Sequence, residues 1–273
     1  MNTLFVCGDS EVLEFDDGVL TTTRPKPLWR WNANQVAGAG VDQLFLNIDE
    51  CKPVNDGQAL LITSSWKGGM ALVDRSSGET SFTIASDNAH SAAMLPDGRI
   101  VLASSEGTDL ISLYDPSWGS APLWTDRLKH AHGVVWDAEH ELLWALGYEE
   151  LRAYALTAWK TRNPCLSCTV SLTIPDEDGH DLMAVPGSSM LTVTTRSGVH
   201  LFDCRSFKFM VHPLLGVLSH VKSISVNPAD GRIAFVQADT PNWWSEKIRF
   251  LNPSGALALP GRNLYKARWC VRE

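Results

Sequence analysis

Residues 90–115 read HSAAMLPDGRIVLASSEGTDLISLYD. The stretch divides itself. HSAAML is a strand and PDG is its turn, with Pro presetting φ and Gly supplying a positive φ. RIVLASS is the next strand, EGTD a second turn and LISLYD a third strand. The opening then recurs. His132 opens HGVVWDAEH, His180 opens HDLMAVPGS and Lys222 opens KSISVNPADG. The gaps are 132 − 90 = 42, 180 − 132 = 48 and 222 − 180 = 42. A β-type repeat of about 40–50 residues marks a radial or stacked β architecture.

Two further registers share the period. Turns at Asn55-Asp56-Gly57, Pro96-Asp97-Gly98 and Ala229-Asp230-Gly231 each precede an apolar β run, ALLITSS, IVLASS and IAFVQA. Third strands end in an apolar residue and an acid: Phe15-Asp16, Val73-Asp74, Tyr114-Asp115 and Phe202-Asp203. Here 115 − 74 = 41, and 203 − 115 = 88, two periods of 44. His90 precedes Asp115 by 25, and counting 25 back from Asp74 places Asp49 in the first slot. Five whole units start near 43, 87, 129, 177 and 219. At the ends, NLYKARWCV reads as an inner strand without followers, and TLFVCGD and EVLEFD as followers without an inner strand. Together they make a sixth unit. The expected fold is all-β: a six-bladed β-propeller filling residues 1–273 as a single domain, with almost no helix. Pairing of the N- and C-terminal strands would close the ring and remove its exposed sheet edges.

Composition narrows the function classes. With 23 basic and 31 acidic residues the formal net charge is −8. This argues against a nucleic-acid binder, which needs a basic face to displace phosphate counterions, and against a membrane-surface role. There is no run of 18 apolar residues to cross a membrane. MNTLFVCGDSEVLEFDDG has no basic leader and reaches Asp9 too soon for a signal peptide, so the expected location is the cytoplasm. Cys7, Cys51, Cys204 and Cys270 lie in apolar strand-like runs and read as small buried hydrophobes. Cys165 and Cys168 form a lone CxxC in NPCLSC, read as a plain loop because no second pair accompanies it.

In a four-stranded blade the inner strand starts at one face of the ring, and the loops between the second and third strands return to it. The expected mouth therefore has Asp49, His90, His132, His180 and Lys222 around the axis. Trp66, Lys67, Tyr148, Glu149 and Arg196 lie further out. Trp243 and Trp244 sit in a longer loop, QADTPNWWSEK. Asp49, His90, His132 and His180 offer a shell for a divalent manganese, zinc or iron ion, each of which accepts imidazole nitrogen with carboxylate oxygen. Without a metal, the same residues still make a site. A histidine serves as general base, while Lys222 and Arg196 hold a carboxylate or an enolate-like charge. His130 and His220 each precede a slot by two residues and share its strand face. His140, His200 and His212 fall in turns or outer strands and read as surface residues. Trp144 and Trp269 read as packing between blades. Trp29, Trp31, Trp66 and the Trp243-Trp244 pair lie in or near loops, where aromatic platforms stack on sugar rings. Gly38 and Gly40 mark a flexible turn. No GxSxG elbow, P-loop, GxGxxG after a strand, HExxH or kinase signature is present.

The PDGR turns resemble those of the gluconolactonase/SMP-30 group of six-bladed propellers. That resemblance implies a metal held by Glu, Asn and Asp, where this chain offers histidines. The ring of inner-strand histidines resembles oligogalacturonate lyase and virginiamycin B lyase, propeller lyases in which histidines surround a divalent cation. The repeat is also similar to a propeller family with the same His-led units and no assigned function. The lyase resemblance implies that a base removes a proton next to a carboxylate while metal or cationic residues steady the enolate. Carried over, it makes His90, His132 and His180 ligands or base, Lys222 and Arg196 the carboxylate clamp and Tyr148 the acid. Lys67, Trp66, Trp243 and Trp244 would contact the substrate. The expected function is a carbohydrate-active lyase acting on a small molecule or oligosaccharide. The alternatives are a sugar-binding propeller, a protein-interaction scaffold and a metal-dependent lactonase or hydrolase.

Overall fold

The computed structural model describes residues 2–18, 25–35 and 41–271. The Gly38-Gly40 turn lies outside them. Among the described residues, twenty-four strands form six four-stranded antiparallel sheets. Five sheets are built from consecutive strands, as the five sequence units require. Their innermost strands are Ile48–Val54, Ala89–Met94, Gly133–Asp137, Asp181–Ala184 and Val221–Val226, in blades one to five. In the sixth, the C-terminal strand Leu264–Val271 is innermost and pairs with Asn2–Gly8, from Asn2 opposite Val271 to Gly8 opposite Leu264. The ring is a six-bladed β-propeller, closed by the two ends of the chain.

The recurrent turns have a physical reason. Gly57, Gly98 and Gly231 all hold positive φ, between 74° and 87°, which a side chain would resist. The acids closing the third strands make Asx-type turns into the fourth. Asp16 accepts from the Gly18 amide, Asp74 from Ser77, Asp115 from Ser117 and Asp203 from Arg205. The second register is therefore a turn device, repeated because each blade needs the same corner.

The core lies between blades, in apolar clusters that link neighbouring sheets. Trp144 is fully buried and meets Phe202 at 4.8 Å across blades three and four. Trp269 packs against Phe250 at 6.2 Å. Cys7, Cys51, Cys204 and Cys270 are buried. Three readings need correction. Cys165 and Cys168 belong to the outermost strand Cys165–Thr173, not to a loop. At i and i+3 of a strand they point to opposite faces and share no ligand. Trp29 and Trp31 lie in the strand Trp29–Asn32, with Trp31 buried edge-on against Phe45. His200 and His212 are buried, not surface residues. His200 pairs with Asp176 at 2.7 Å, and His212 Nδ1 accepts the amides of Leu214 and Leu215.

Gly133 follows His132 and packs tightly against Leu182 of blade four. A Cβ there would stand 2.7 Å from Leu182 Cβ and 3.0 Å from its amide nitrogen. Gly133→Ala is expected to cost about 1–3 kcal/mol by overpacking. Urea denaturation measures this, and an unchanged midpoint would contradict the tight contact.

Candidate functional site

The residues around the axis owe their aim to irregularities in strand pairing. Ile48 faces Ser64 and Glu50 faces Thr63, which leaves Asp49 unopposed. His90 is likewise extra between Ala89 and Ser91, and Lys222 between Val221 and Ser223. His132 and His180 stand just ahead of their strands, donating their amides to Leu146 O at 2.9 Å and Thr194 O at 2.8 Å. Such bulges re-aim a side chain and are frequent beside functional sites. Tyr265 is the extra residue of the sixth strand, between Leu264 and Lys266. Sequence reasoning missed it, although one more period from Lys222 (265 − 222 = 43) reaches it.

A cavity of about 450 Å³ opens at this face, within the range of small-molecule sites. Asp49, His90, His132, His180 and Tyr265 line it together with Asn47, Asn88, His130, Asp178 and Asn263, each two residues ahead of a slot. Asn88, His130, Asp178 and His220 hold positive φ between 47° and 63°, a conformation that Asn, Asp and His adopt more readily than most. The loops between second and third strands add Ser65, Ser105, Glu106, Tyr148, Arg196, Trp243 and Trp244. The asparagines two before a slot and Asp178 carried no signal as single residues. Their phase, two before the slot, was the available clue, and it was read only at His130 and His220.

The expected residues divide. Asp49, His90, His132, His180, Tyr148, Arg196, Trp243 and Trp244 meet at the cavity. Trp66, Lys67 and Glu149 are not among its lining residues, and Trp66 is exposed. Lys222 is fully buried behind the lining. Its Nζ lies 3.0 Å from His180 Nε2 and 4.6 Å from the Trp243 ring centroid. Arg196 is exposed at the rim and has no carboxylate within ion-pair distance among the described residues.

Burial governs the titration of the site. It pushes the Asp49 carboxyl up to about 7, against hydrogen bonds from Ser65 and the charge of Lys266. Burial drives His132 down to about 3 and holds His90 and His180 well below their ordinary value, with Lys222 and Lys266 adding to the effect on all three. The imidazoles are thus neutral. Burial also lowers Lys222 to about 8, with Asp178 opposing it.

Deeper in the channel lies a fully buried ion network. Arg268 donates to Glu50 Oε1 at 2.7 Å and Oε2 at 2.9 Å, and to Asp181 Oδ1 at 2.6 Å and Oδ2 at 2.9 Å. Lys266 Nζ lies 3.0 Å from Asp181 Oδ1 and 3.4 Å from Glu50 Oε2. Lys52 Nζ, 3.9 Å from Glu50, donates to the Ala92 and Val134 carbonyls. Burial opposes ionisation of Glu50 and Asp181, but the adjacent Arg268 and Lys266 hold both below their ordinary values.

The axial residues do not fit the divalent ion expected from the sequence. The His90 and His132 rings stack with centroids 4.1 Å apart and planes 29° apart, so their nitrogens do not converge edge-on. Asp49 accepts the Ser65 amide, and Lys222 occupies His180 Nε2. Among the described residues, no group of three or more His, Cys, Asp or Glu side chains is arranged to hold a metal ion.

Comparison with known proteins agrees with the architecture. Residues 20–273 match DUF6528, described as a family of unknown function. A search of curated proteins found no match. The fold is similar to a chain in a nidogen/laminin complex, with a TM-score of 0.67, 12% identity and full coverage of both chains. It is also similar to a chain of hydrazine synthase from Kuenenia stuttgartiensis (TM-score 0.56, 14% identity, 78% of this chain and 66% of that one). A third likeness is to a chain of a mitotic checkpoint complex (TM-score 0.59, 12% identity, 90% of this chain and 69% of that one). At these identities the likenesses show the fold alone. Among the described residues, no helix is long and apolar enough to cross a membrane.

Proposed function

We propose that this chain, which belongs to the DUF6528 family of unknown function, binds a small acidic saccharide in its propeller mouth and abstracts a proton from it as a metal-independent lyase. One observation carries the reading: a carboxyl poised near neutrality, Asp49, shares a cavity with the unpaired guanidinium of Arg196 and the Trp243-Trp244 pair. Arg196 takes the substrate carboxylate, since a guanidinium matches its two oxygens with paired donors. The tryptophans present apolar faces to a sugar ring. Asp49, as carboxylate, takes the proton from the carbon beside the substrate carboxylate. A general base works best when its pKa lies near the operating pH. The electron pair forms the new C=C bond as the neighbouring C–O bond breaks, and Tyr148 protonates the departing oxygen. The Tyr148 hydroxyl donates to Glu177 at 3.0 Å, and that partner raises its pKa and keeps it protonated.

The test is incubation with oligogalacturonate and related uronic-acid oligosaccharides, following the ultraviolet absorbance of the unsaturated product. Turnover should rise with pH through about 7, as Asp49 ionises. Asp49→Asn should lower it by about 10²–10⁴-fold, the usual contribution of a general base. Absence of elimination from every uronate would overturn the lyase reading, and calorimetric binding without turnover would make the mouth a sugar-binding site.

A further inference from the structure

The three imidazoles of the cavity floor differ in where they carry their protons, and their neighbours fix each position. Asn88 Nδ2 donates to the Glu106 carbonyl at 3.0 Å, which orients the amide. The atom facing His90 Nε2 at 2.9 Å is therefore Asn88 Oδ1. An amide oxygen only accepts, so His90 is protonated on Nε2 and keeps a lone pair on Nδ1. His132 Nδ1 lies 2.9 Å from the His130 carbonyl, which also only accepts. His132 is protonated on Nδ1, and its lone pair is on Nε2. His180 Nε2 receives the Lys222 ammonium at 3.0 Å, and an ammonium only donates. His180 therefore carries its proton on Nδ1. Asp178 Oδ2, 3.6 Å from the same Nε2, is outside hydrogen-bond reach.

These assignments leave hydrogen-bonding capacity unused. His90 Nδ1 and His180 Nδ1 are buried without a partner. Unsatisfied buried polar atoms are costly and few in a native structure. Both residues line the cavity, as does His132, whose bonds all run through Nδ1. His90 Nδ1 and His180 Nδ1 are closed off by the protein itself, so the free imidazole lone pair at the cavity is that of His132 Nε2. A lone pair repels a carboxylate and attracts an O–H hydrogen.

We propose that the floor reads a hydroxyl: His132 Nε2 accepts from a hydroxyl of a sugar ring. Asn88 and Lys222 are positioning residues that hold the flanking His90 and His180 in their tautomers. This deepens the saccharide reading and rests on it for the kind of ligand. It directs the anionic group away from the floor, toward Arg196 at the rim.

The test combines imidazole spectroscopy with binding. Long-range ¹H–¹⁵N correlation spectra of protein labelled with ¹⁵N-histidine should show at pH 7 the proton on Nδ1 of His132 and His180 and on Nε2 of His90. Lys222→Met should release the His180 tautomer and leave the other two unchanged. Asn88→Leu should release His90, and Asn88→Asp, which keeps the acceptor, should restore it. Calorimetry with galacturonate should show affinity falling about tenfold, or 1.4 kcal/mol, for the deoxy analogue missing the floor-facing hydroxyl. Acetate should not perturb the floor imidazoles. A proton on His132 Nε2, an unchanged His180 in Lys222→Met, or a deoxy analogue that binds like the parent would overturn the proposal. So would near-stoichiometric metal in freshly purified protein, which would claim the same lone pair. Uronate binding with these tautomers but without elimination would overturn the lyase reading alone, and elimination with other tautomers the floor assignment alone.

Discussion

Arg268→Met is expected to destabilise the propeller by about 3–5 kcal/mol, the usual consequence of removing one partner from a buried charge network. The side chain is fully buried and makes four hydrogen bonds to the carboxylates of Glu50 and Asp181. Without it, Lys266 alone faces both carboxylates closely, with Lys52 at 3.9 Å from Glu50. A domain has only about 5–15 kcal/mol in total, so a large share of the stability would go. Urea denaturation gives the magnitude. A loss below about 1 kcal/mol in the single variant would show that the network is not dry.

Asp49→Asn is expected to stabilise the fold above pH 7 while lowering turnover by about 10²–10⁴-fold. Burial raises the carboxyl from 3.8 to about 7. A folded pKa above the unfolded one means that folding favours the protonated form. Its contribution is fully present below about pH 4 and is lost as pH rises through about 7. Above that pH the folded protein holds a buried carboxylate at a cost of about 4 kcal/mol, at 1.36 kcal/mol per pH unit. Asparagine keeps an acceptor for the Ser65 amide without the charge. The difference in melting temperature between variant and wild type should therefore grow from pH 4 to pH 8, toward roughly 10 °C. Glu50 and Asp181 have the opposite sign: their folded values are lowered, so their contribution is lost on acidification. Comparing variant with wild type at each pH isolates Asp49. A difference independent of pH would contradict its raised pKa.

Most of the architecture was legible because a blade is a local object. The DG turns, the acid that closes each third strand and the apolar runs between them are written within about forty residues. Their period placed Asp49, His90, His132 and His180 correctly around one cavity. Lys222 had the right phase, yet its side chain ends behind Trp243 and His180. Phase fixes a backbone position, not the depth of a long flexible side chain. Trp66 and Lys67 also sat on the expected loop but are not among the residues that line the cavity. Tyr265 was hidden because its strand stands alone at the C-terminus, with its partners at the other end of the chain.

By itself the sequence determined the β class, the six units, the closure by the chain ends and the slot residues. All of these follow from alternation and turn chemistry repeated at one spacing. Only the tertiary structure decided what the slots are worth chemically. Glu50 and Arg268 meet across 218 positions, and Lys222 reaches His180 across 42. Asp49 gains its poised carboxyl from burial, and the imidazoles gain their tautomers from single neighbouring atoms. Burial and through-space contact are properties of the assembled ring, and no local pattern encodes them.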